Sequence, residues 1–374
     1  MERGIPMQEE YREIHADSAV PADVEATPEA VRAVKKKLRS CSNRNSLAIF
    51  LFLVFGNVFT IILSMLIGFA AGLLGYVDTE RMMTLANLAA ALGLYVIGVP
   101  LVVLIRNLGK GHHRTKDYFA RPQVSGGFIC KWTVIGVGVA YLINYVCSFI
   151  WWLISLTGFE MHVPEMTSEN SPLGIAVTML MMAVLAPIFE ELLCRGSLLF
   201  HTRAYGEWFA VITVGLMFGL LHANYQQIFF AAGLGIICGF VTVKAKSIWP
   251  AICIHFVLNL IGALQTVLLS ASGLMEMEAL DVEVEMTDWL AQVQIIPLLL
   301  VYLLAFLCLV FAIVALVLLV LEIVRHRDRL HLKNPCPILS TRQKFVTYFT
   351  APGTICVVIL LLVWTVVNML GIFQ

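Results

Sequence analysis

The feature that most constrains this chain is a succession of long apolar stretches, which begins at residue 47 and continues almost to the end. Each stretch approaches the roughly 20 residues with which an α-helix crosses a bilayer. The sequence therefore predicts an all-α polytopic membrane protein, a bundle of about eight to nine transmembrane helices. Nine candidate spans lie at about residues 47–75, 83–105, 128–157, 173–199, 208–223, 227–243, 249–271, 295–323 and 352–372.

Composition excludes the other broad classes of protein. Hydrophobic residues make up 59% of the chain and charged residues only 13%, against about 45–50% and about 25% in soluble domains. A soluble enzyme, a disordered chain and a collagen-like fibre are thereby excluded. Acidic and basic residues number 25 each, so there is no case for a nucleic-acid partner. The nine cysteines show no paired spacing and lie mostly in apolar stretches, which is not the pattern of a disulfide framework.

Residues 1–44 form the one long polar segment, and they lack the apolar core of a signal peptide. We expect a cytoplasmic polar tail, followed by a transmembrane domain over residues 45–374. Thr27 as N-cap and Pro28 at the first helical position predict a juxtamembrane helix that ends near Arg39. We expect this helix to be solvated and to lie against anionic headgroups.

Basic residues predict the orientation of the spans. They concentrate in the tail, in the segment 106–121 and in the segment 325–344, all on one side of a nine-span arrangement. The opposite side has Arg81 as its only basic loop residue, beside acidic stretches at 160–169 and 276–288. The N-terminus is therefore predicted to be cytoplasmic and the C-terminus to lie outside.

Charged and polar side chains inside the spans are the candidates for function, because a charge at the bilayer centre costs at least ~2.5–3.5 kcal/mol. They are Glu190, Glu191 and Arg195 in the fourth span, His222 in the fifth, and His255 with Asn259 in the seventh. Lys131 lies near the cytoplasmic start of the third span, where its stem can extend to the headgroups, and we expect no further role for it.

Helical spacing predicts different roles for the two glutamates. Glu191 and Arg195 are four residues apart and can pair on one helix face. Glu190 lies about 100° around the helix from Glu191 and can point elsewhere. Pro187 is expected to kink the helix one turn earlier and to open a wet pocket around Glu190. Estimated depths allow Glu190, His222 and His255 to meet in the cytoplasmic half of the membrane.

Three motifs stand in order on these spans. They are EExxxR at Glu190-Glu191 and Arg195, FxxxH at Phe218 and His222, and HxxxN at His255 and Asn259. Together they resemble the CAAX protease and bacteriocin-processing family of intramembrane proteases, which includes the Ras-converting CAAX endopeptidases. The resemblance covers about residues 173–271 and implies an integral protein of a bacterial cell membrane.

The resemblance also implies hydrolysis of a peptide bond in a membrane-associated or lipidated peptide or protein within the lipid bilayer. Glu190 with His222 would activate a water, and His255 with Asn259 would stabilise the oxyanion. Glu191 and Arg195 would be a supporting pair. Glu190, His222 and His255 could also form a two-His, one-carboxylate zinc site. Since no HExxH signature is present, we favour a mechanism without metal or other cofactor.

Two other classes of function stay open. A catalytically silent scaffold or bacteriocin self-immunity protein would keep this fold, and a proton-coupled transporter would also keep Glu and His in its spans. Taken singly, each histidine and Asn259 is as typical of an interhelical hydrogen bond as of catalysis. Because every motif position is intact and no inverted repeat is visible, we favour an active protease.

Overall fold

The computed structural model describes residues 27–75, 79–108, 118–159, 161–162, 170–274 and 293–372. Within these ranges all regular structure is helical, and eight helices are long and apolar enough to cross a membrane. The predicted all-α polytopic membrane fold is confirmed. Residues 1–26, the acidic stretch 276–288 and all but two residues of the acidic stretch 160–169 lie outside the described ranges.

Ten helices are numbered here in chain order. The spans are α1 (Pro28–Leu73), α2 (Arg81–Asn107), α3 (Gly126–Ser155), α4 (Pro172–Tyr205), α6 (Ile228–Ala245), α7 (Trp249–Ser272), α8 (Ile295–Arg325) and α10 (Pro352–Met369). The shorter helices are α5 (Glu207–Leu221) and α9 (Thr341–Phe349). With 15 residues, α5 is about 22 Å long, which is less than the roughly 30 Å hydrocarbon core. The predicted fifth span is therefore the one of the nine whose helix is shorter than a membrane-crossing helix requires.

Helix α1 begins as predicted but does not end near Arg39. The side chain of Thr27 accepts a hydrogen bond from the backbone N–H of Ala30 at 3.2 Å, and Pro28 occupies the first turn. The helix then continues without interruption from the polar segment to Leu73. No helix-breaking residue separates the two parts, so the juxtamembrane helix and the first span are one element.

One face of the polar part of α1 is buried, which corrects the prediction of a solvated helix. Val34 and Leu38 are 2% and 0% exposed. They belong to a cluster that includes Phe209 of α5 and Tyr348 of α9. The sequence reasoning did not predict α9, and so it left this face of α1 without a partner.

Polar contacts reinforce the same junction. The hydroxyl of Ser42 donates to the carbonyl of Tyr348 at 2.7 Å, and the amide of Asn45 donates to the hydroxyl of Thr202 at 2.9 Å. The guanidinium of Arg106 donates twice to the Asn45 side-chain oxygen, at 3.1 and 2.9 Å. Helices α1, α2, α4 and α9 are thus joined at one end of the bundle.

Lys131 does not simply extend to the headgroups. Its Nζ lies 2.5 Å from Oε1 of Glu322 on α8, and the two side chains are 27% and 7% exposed. Because α3 packs along α8, the Glu322 carboxylate is within reach of the Lys131 ammonium. The expectation for Lys131 did not include this ion pair, because it considered one helix at a time.

Glycine allows α3 and α8 to approach closely. A Cβ atom placed on Gly138 would lie 2.6 Å from the carbonyl oxygen of Phe311, a backbone atom that cannot rotate away. Close backbone approach through small residues is a common way for helices to associate in lipid. Gly262 on α7 provides the contrast, since no atom lies within 4 Å of a Cβ placed there.

We expect Gly138→Ala to destabilise the protein and Gly262→Ala to leave its stability unchanged or slightly higher. Overpacking costs about 1–3 kcal/mol, while alanine at an unobstructed helix position is favoured over glycine. Thermal unfolding of the two variants in the same detergent measures the difference. Equal melting temperatures would contradict the close contact between α3 and α8.

Candidate active site

A cavity of about 810 Å³ lies among α1, α2, α4, α5 and α10. Its wall is mainly apolar. Two of the predicted site residues, Glu190 and His222, line it, and so does Tyr95 of α2. The apolar part of the lining includes Phe50, Val54, Leu94, Leu193, Leu360 and Trp364. Helix α5 is short enough for His222, just beyond its last residue, to reach the same cavity as Glu190 in the middle of α4.

The helix that carries the glutamates is irregular on both sides of them. Leu180–Leu185 is π-helical, Ala186–Glu191 is α-helical, and Leu192–Leu199 is again π-helical. Pro187 cannot donate a backbone hydrogen bond, and the first π-helical segment ends two residues before it. The irregularity that Pro187 was expected to cause, a kink, is therefore present as a wide π-helical turn just before the proline. Such turns are frequent at functional sites.

Glu191 and Arg195 form the predicted ion pair. Nη1 of Arg195 lies 2.7 Å from Oε1 of Glu191, and neither side chain is exposed. Nη2 of Arg195 also donates to the carbonyl of Gly235 on α6 at 2.8 Å, and the guanidinium lies 4.7 Å from the ring centroid of Phe218 on α5. The pair therefore connects α4 with α5 and α6, as expected of a supporting element.

His255 lies between the two glutamates. Its Nδ1 is 3.0 Å from Oε1 of Glu191, and since a carboxylate accepts, Nδ1 is the donor. Its Nε2 is 3.9 Å from Oε2 of Glu190. The imidazole is buried and is oriented by Glu191, so the supporting pair also sets the position of a residue next to Glu190.

Glu190 points away from the ion pair, as the helical spacing predicted. Its Oε1 accepts a hydrogen bond from the hydroxyl of Tyr95 at 2.9 Å, and its side chain is 18% exposed. The sequence reasoning missed Tyr95. A single tyrosine in an apolar span carries no spacing signal, and only the packing of α2 near α4 brings its hydroxyl to the carboxylate.

His222 follows the last residue of α5. Its Nδ1 lies 2.9 Å from the carbonyl of Phe218, which can only accept, so Nδ1 carries the proton. In the neutral ring Nε2 is then left without a proton and can take one up. The ring of Phe218 lies edge-on to His222 at 5.0 Å and to His255 at 5.6 Å. Phe218 thus separates and holds the two imidazoles.

Asn259 lies one helical turn after His255 but is directed to a different neighbour. Its Nδ2 donates to the carbonyl of Met182, in the first π-helical segment of α4, at 2.9 Å. The described lining of the cavity includes neither Asn259 nor His255. The structure therefore brings Glu190, Glu191, His222 and His255 around Phe218, and it places Asn259 at the edge of that group.

A zinc site would require Glu190, His222 and His255 to converge on one point. In the part of the chain that the structure describes, no group of three or more His, Cys, Asp or Glu side chains is arranged to hold a metal ion. Whether Glu190, His222 and His255 bind a metal together therefore stays a hypothesis.

A comparison with protein families found a match in the central part of the chain. Residues 172–261 match the family of Rce1-like type II CAAX prenyl endopeptidases. The six candidate residues all lie inside this segment, and the predicted resemblance is confirmed there. Comparison with curated proteins and with solved structures found no match. The family match suggests an intramembrane endopeptidase.

Proposed function

We propose that this protein is an intramembrane endopeptidase that hydrolyses a peptide bond in a membrane-associated or lipidated substrate, with a water activated by Glu190. The observation that carries the proposal is the cavity in which Glu190 and His222 are both accessible. Its mainly apolar wall suits an apolar ligand. The motif residues of the matched segment 172–261 support the same activity.

In the proposed reaction Glu190 takes a proton from a water molecule, and the water oxygen bonds to the carbonyl carbon of the substrate. We propose that His222, which lines the same cavity, shares this proton through its unprotonated Nε2. The carbonyl oxygen becomes an oxyanion, toward which Nε2 of His255 donates when the ring is doubly protonated. The peptide C–N bond then breaks, and Glu190 returns the proton to the leaving nitrogen.

The Asn259 side chain fits a smaller role than the sequence suggested. One N–H of its amide donates to the carbonyl of Met182 on α4, so only the second N–H can donate to an oxyanion. We propose that Asn259 mainly holds α7 against α4 and thereby keeps His255 at its distance from Glu190. Glu191 and Arg195 position His255 from the other side.

A catalytically silent scaffold or self-immunity protein is the second candidate. It would need the buried Glu191–Arg195 pair for folding, but not an exposed carboxylate at Glu190. The 18% exposure of the Glu190 side chain in an apolar cavity favours catalysis. A proton-coupled transporter would also keep this carboxylate, but the family match favours an endopeptidase.

Cleavage of a defined peptide tests the proposal. The full-length protein in phospholipid vesicles is mixed with an internally quenched, farnesylated CAAX-type peptide, and with the same peptide lacking the farnesyl group. We expect cleavage of the first and weaker cleavage of the second. Equal cleavage of both peptides would contradict the proposal that the substrate is lipidated. If neither peptide is cleaved, the proposed endopeptidase activity is contradicted.

We also expect this activity to persist after treatment with EDTA or 1,10-phenanthroline. The proposed proton acceptors, Glu190 and His222, are side chains, so the proposed reaction requires no metal ion. Elemental analysis of the same active preparation completes the experiment. One zinc per chain, with activity lost in chelator and restored by added zinc, would overturn the metal-independent mechanism.

A further inference from the structure

Tyr95 lies outside the matched segment 172–261, yet it contacts the proposed catalytic base. Its hydroxyl donates to Oε1 of Glu190 at 2.9 Å and faces the same cavity. Hydrogen bonds to ionised groups are stronger than those between neutral groups, so this contact is among the stronger ones available to the carboxylate.

The backbone around Tyr95 is built to bring α2 close to α1. Leu92–Gly98, which contains Tyr95, is π-helical. A Cβ atom placed on Gly93 would lie 2.7 Å from the backbone nitrogen of Thr60 and 2.8 Å from the carbonyl carbon of Phe59. The widened turn and the close approach through glycine together determine the direction in which the tyrosine ring leaves the helix.

The two oxygens of Glu190 have different surroundings. Oε1 accepts from Tyr95, whereas Oε2 lies 3.9 Å from Nε2 of His255, beyond hydrogen-bond distance. Among the described residues, Oε2 has no hydrogen-bond donor. A carboxylate held at one oxygen presents the other in a constant direction, which lowers the cost of orienting a water for attack.

We propose that Tyr95 is a positioning residue for Glu190: its hydroxyl holds Oε1 so that Oε2 is the oxygen that takes the proton from the attacking water. The role rests on the proposed function. It assigns to α2, a helix that carries none of the three motifs, a part in the reaction. Removal of the hydroxyl should lower the rate of cleavage in the enzyme–substrate complex, and it should have a smaller effect on the affinity for substrate.

The test compares Tyr95→Phe with Tyr145→Phe, both of which remove a hydrogen-bonding hydroxyl from a membrane helix. Tyr145 donates to the carbonyl of Ala305 at 2.8 Å and lies outside the cavity lining. With the farnesylated peptide, we expect Tyr95→Phe to lower kcat about 10- to 100-fold with little change in KM and in melting temperature. Tyr145→Phe should leave kcat and KM unchanged.

A second readout needs no substrate. Dicyclohexylcarbodiimide is an apolar reagent that reacts with a protonated carboxyl group. The carboxyl oxygen bonds to its central carbon, one C=N bond becomes single and its nitrogen takes the carboxyl proton; mass spectrometry then locates the adduct. We expect Tyr95→Phe to increase the rate of labelling at residue 190 several-fold, because Oε1 loses its hydrogen bond. Glu190→Gln should remove the adduct at this position, and Tyr145→Phe should leave the rate unchanged.

The outcomes separate the two proposals. Unchanged labelling and unchanged kcat in Tyr95→Phe would overturn the positioning role. Normal cleavage by Glu190→Gln would overturn the proposed function. Faster labelling without an effect on kcat would establish the contact and overturn its role in the reaction. A fall in melting temperature together with both kinetic constants would mark Tyr95 as structural.

Discussion

Glu190→Gln is expected to abolish cleavage and leave a folded protein. Glutamine keeps the shape of the side chain and can still contact the Tyr95 hydroxyl, but it cannot take a proton from water. Loss of a general base costs about 10²–10⁴ in rate. Because Glu190 is partly exposed to the cavity and lies outside the Glu191–Arg195 pair, the neutral side chain should cost little stability.

Glu322→Gln is the matched control for this experiment. It also removes a carboxylate from a membrane helix, but that carboxylate pairs with Lys131 and lies outside the cavity. Cleavage of the farnesylated peptide and melting temperature are measured for both variants. A Glu190→Gln variant that retains more than about one tenth of the wild-type rate would be incompatible with Glu190 as general base. The same holds if activity falls in Glu322→Gln and not in Glu190→Gln.

Removal of the buried arginine is expected to have the largest effect on folding. In Arg195→Ala the carboxylate of Glu191 stays fully buried and keeps only Nδ1 of His255 as a partner. Breaking a buried pair from one side costs about 3–5 kcal/mol. We therefore expect a large fall in melting temperature or in the yield of folded protein, and loss of cleavage with it.

Two further variants show whether the uncompensated charge is the cause. Arg39 on α1 is exposed, so Arg39→Ala should stay within about 0.5 kcal/mol of the wild type. The double variant Glu191→Met with Arg195→Met removes both charges, and it should recover part of the stability without recovering activity, because His255 loses its acceptor. An Arg195→Ala protein as stable as the wild type would show that the pair does not support the fold.

The sequence predicted the membrane fold and most of the spans because lipid imposes a strict requirement on each segment separately. Six spans begin and end within three residues of the predicted positions. The errors occurred where a second element decided the outcome. Tyr348 of α9 buries a face of α1 that was predicted to be solvated, and Glu322 of α8 pairs with Lys131.

The contacts in the candidate site also fall into two kinds: those set within one helix and those set by packing between helices. The i,i+4 spacing of Glu191 and Arg195 was sufficient to predict their ion pair, because one helix determines that contact. The side chains that surround Glu190 come from α2, α5 and α7, and no spacing within α4 relates them. Tyr95 in particular gave no signal, since its contact with Glu190 joins residues 95 positions apart.

The sequence by itself determined that this chain spans a membrane and which ionisable residues lie where lipid should exclude them. Both follow from the transfer of side chains between water and lipid, which depends on each segment alone. The tertiary structure alone decided which neighbours these side chains contact. His255 donates to Glu191 and does not line the cavity. Asn259 donates to the carbonyl of Met182, and Tyr95 donates to Glu190. Those contacts depend on the packing of separate helices, where a shift of one turn would replace every neighbour.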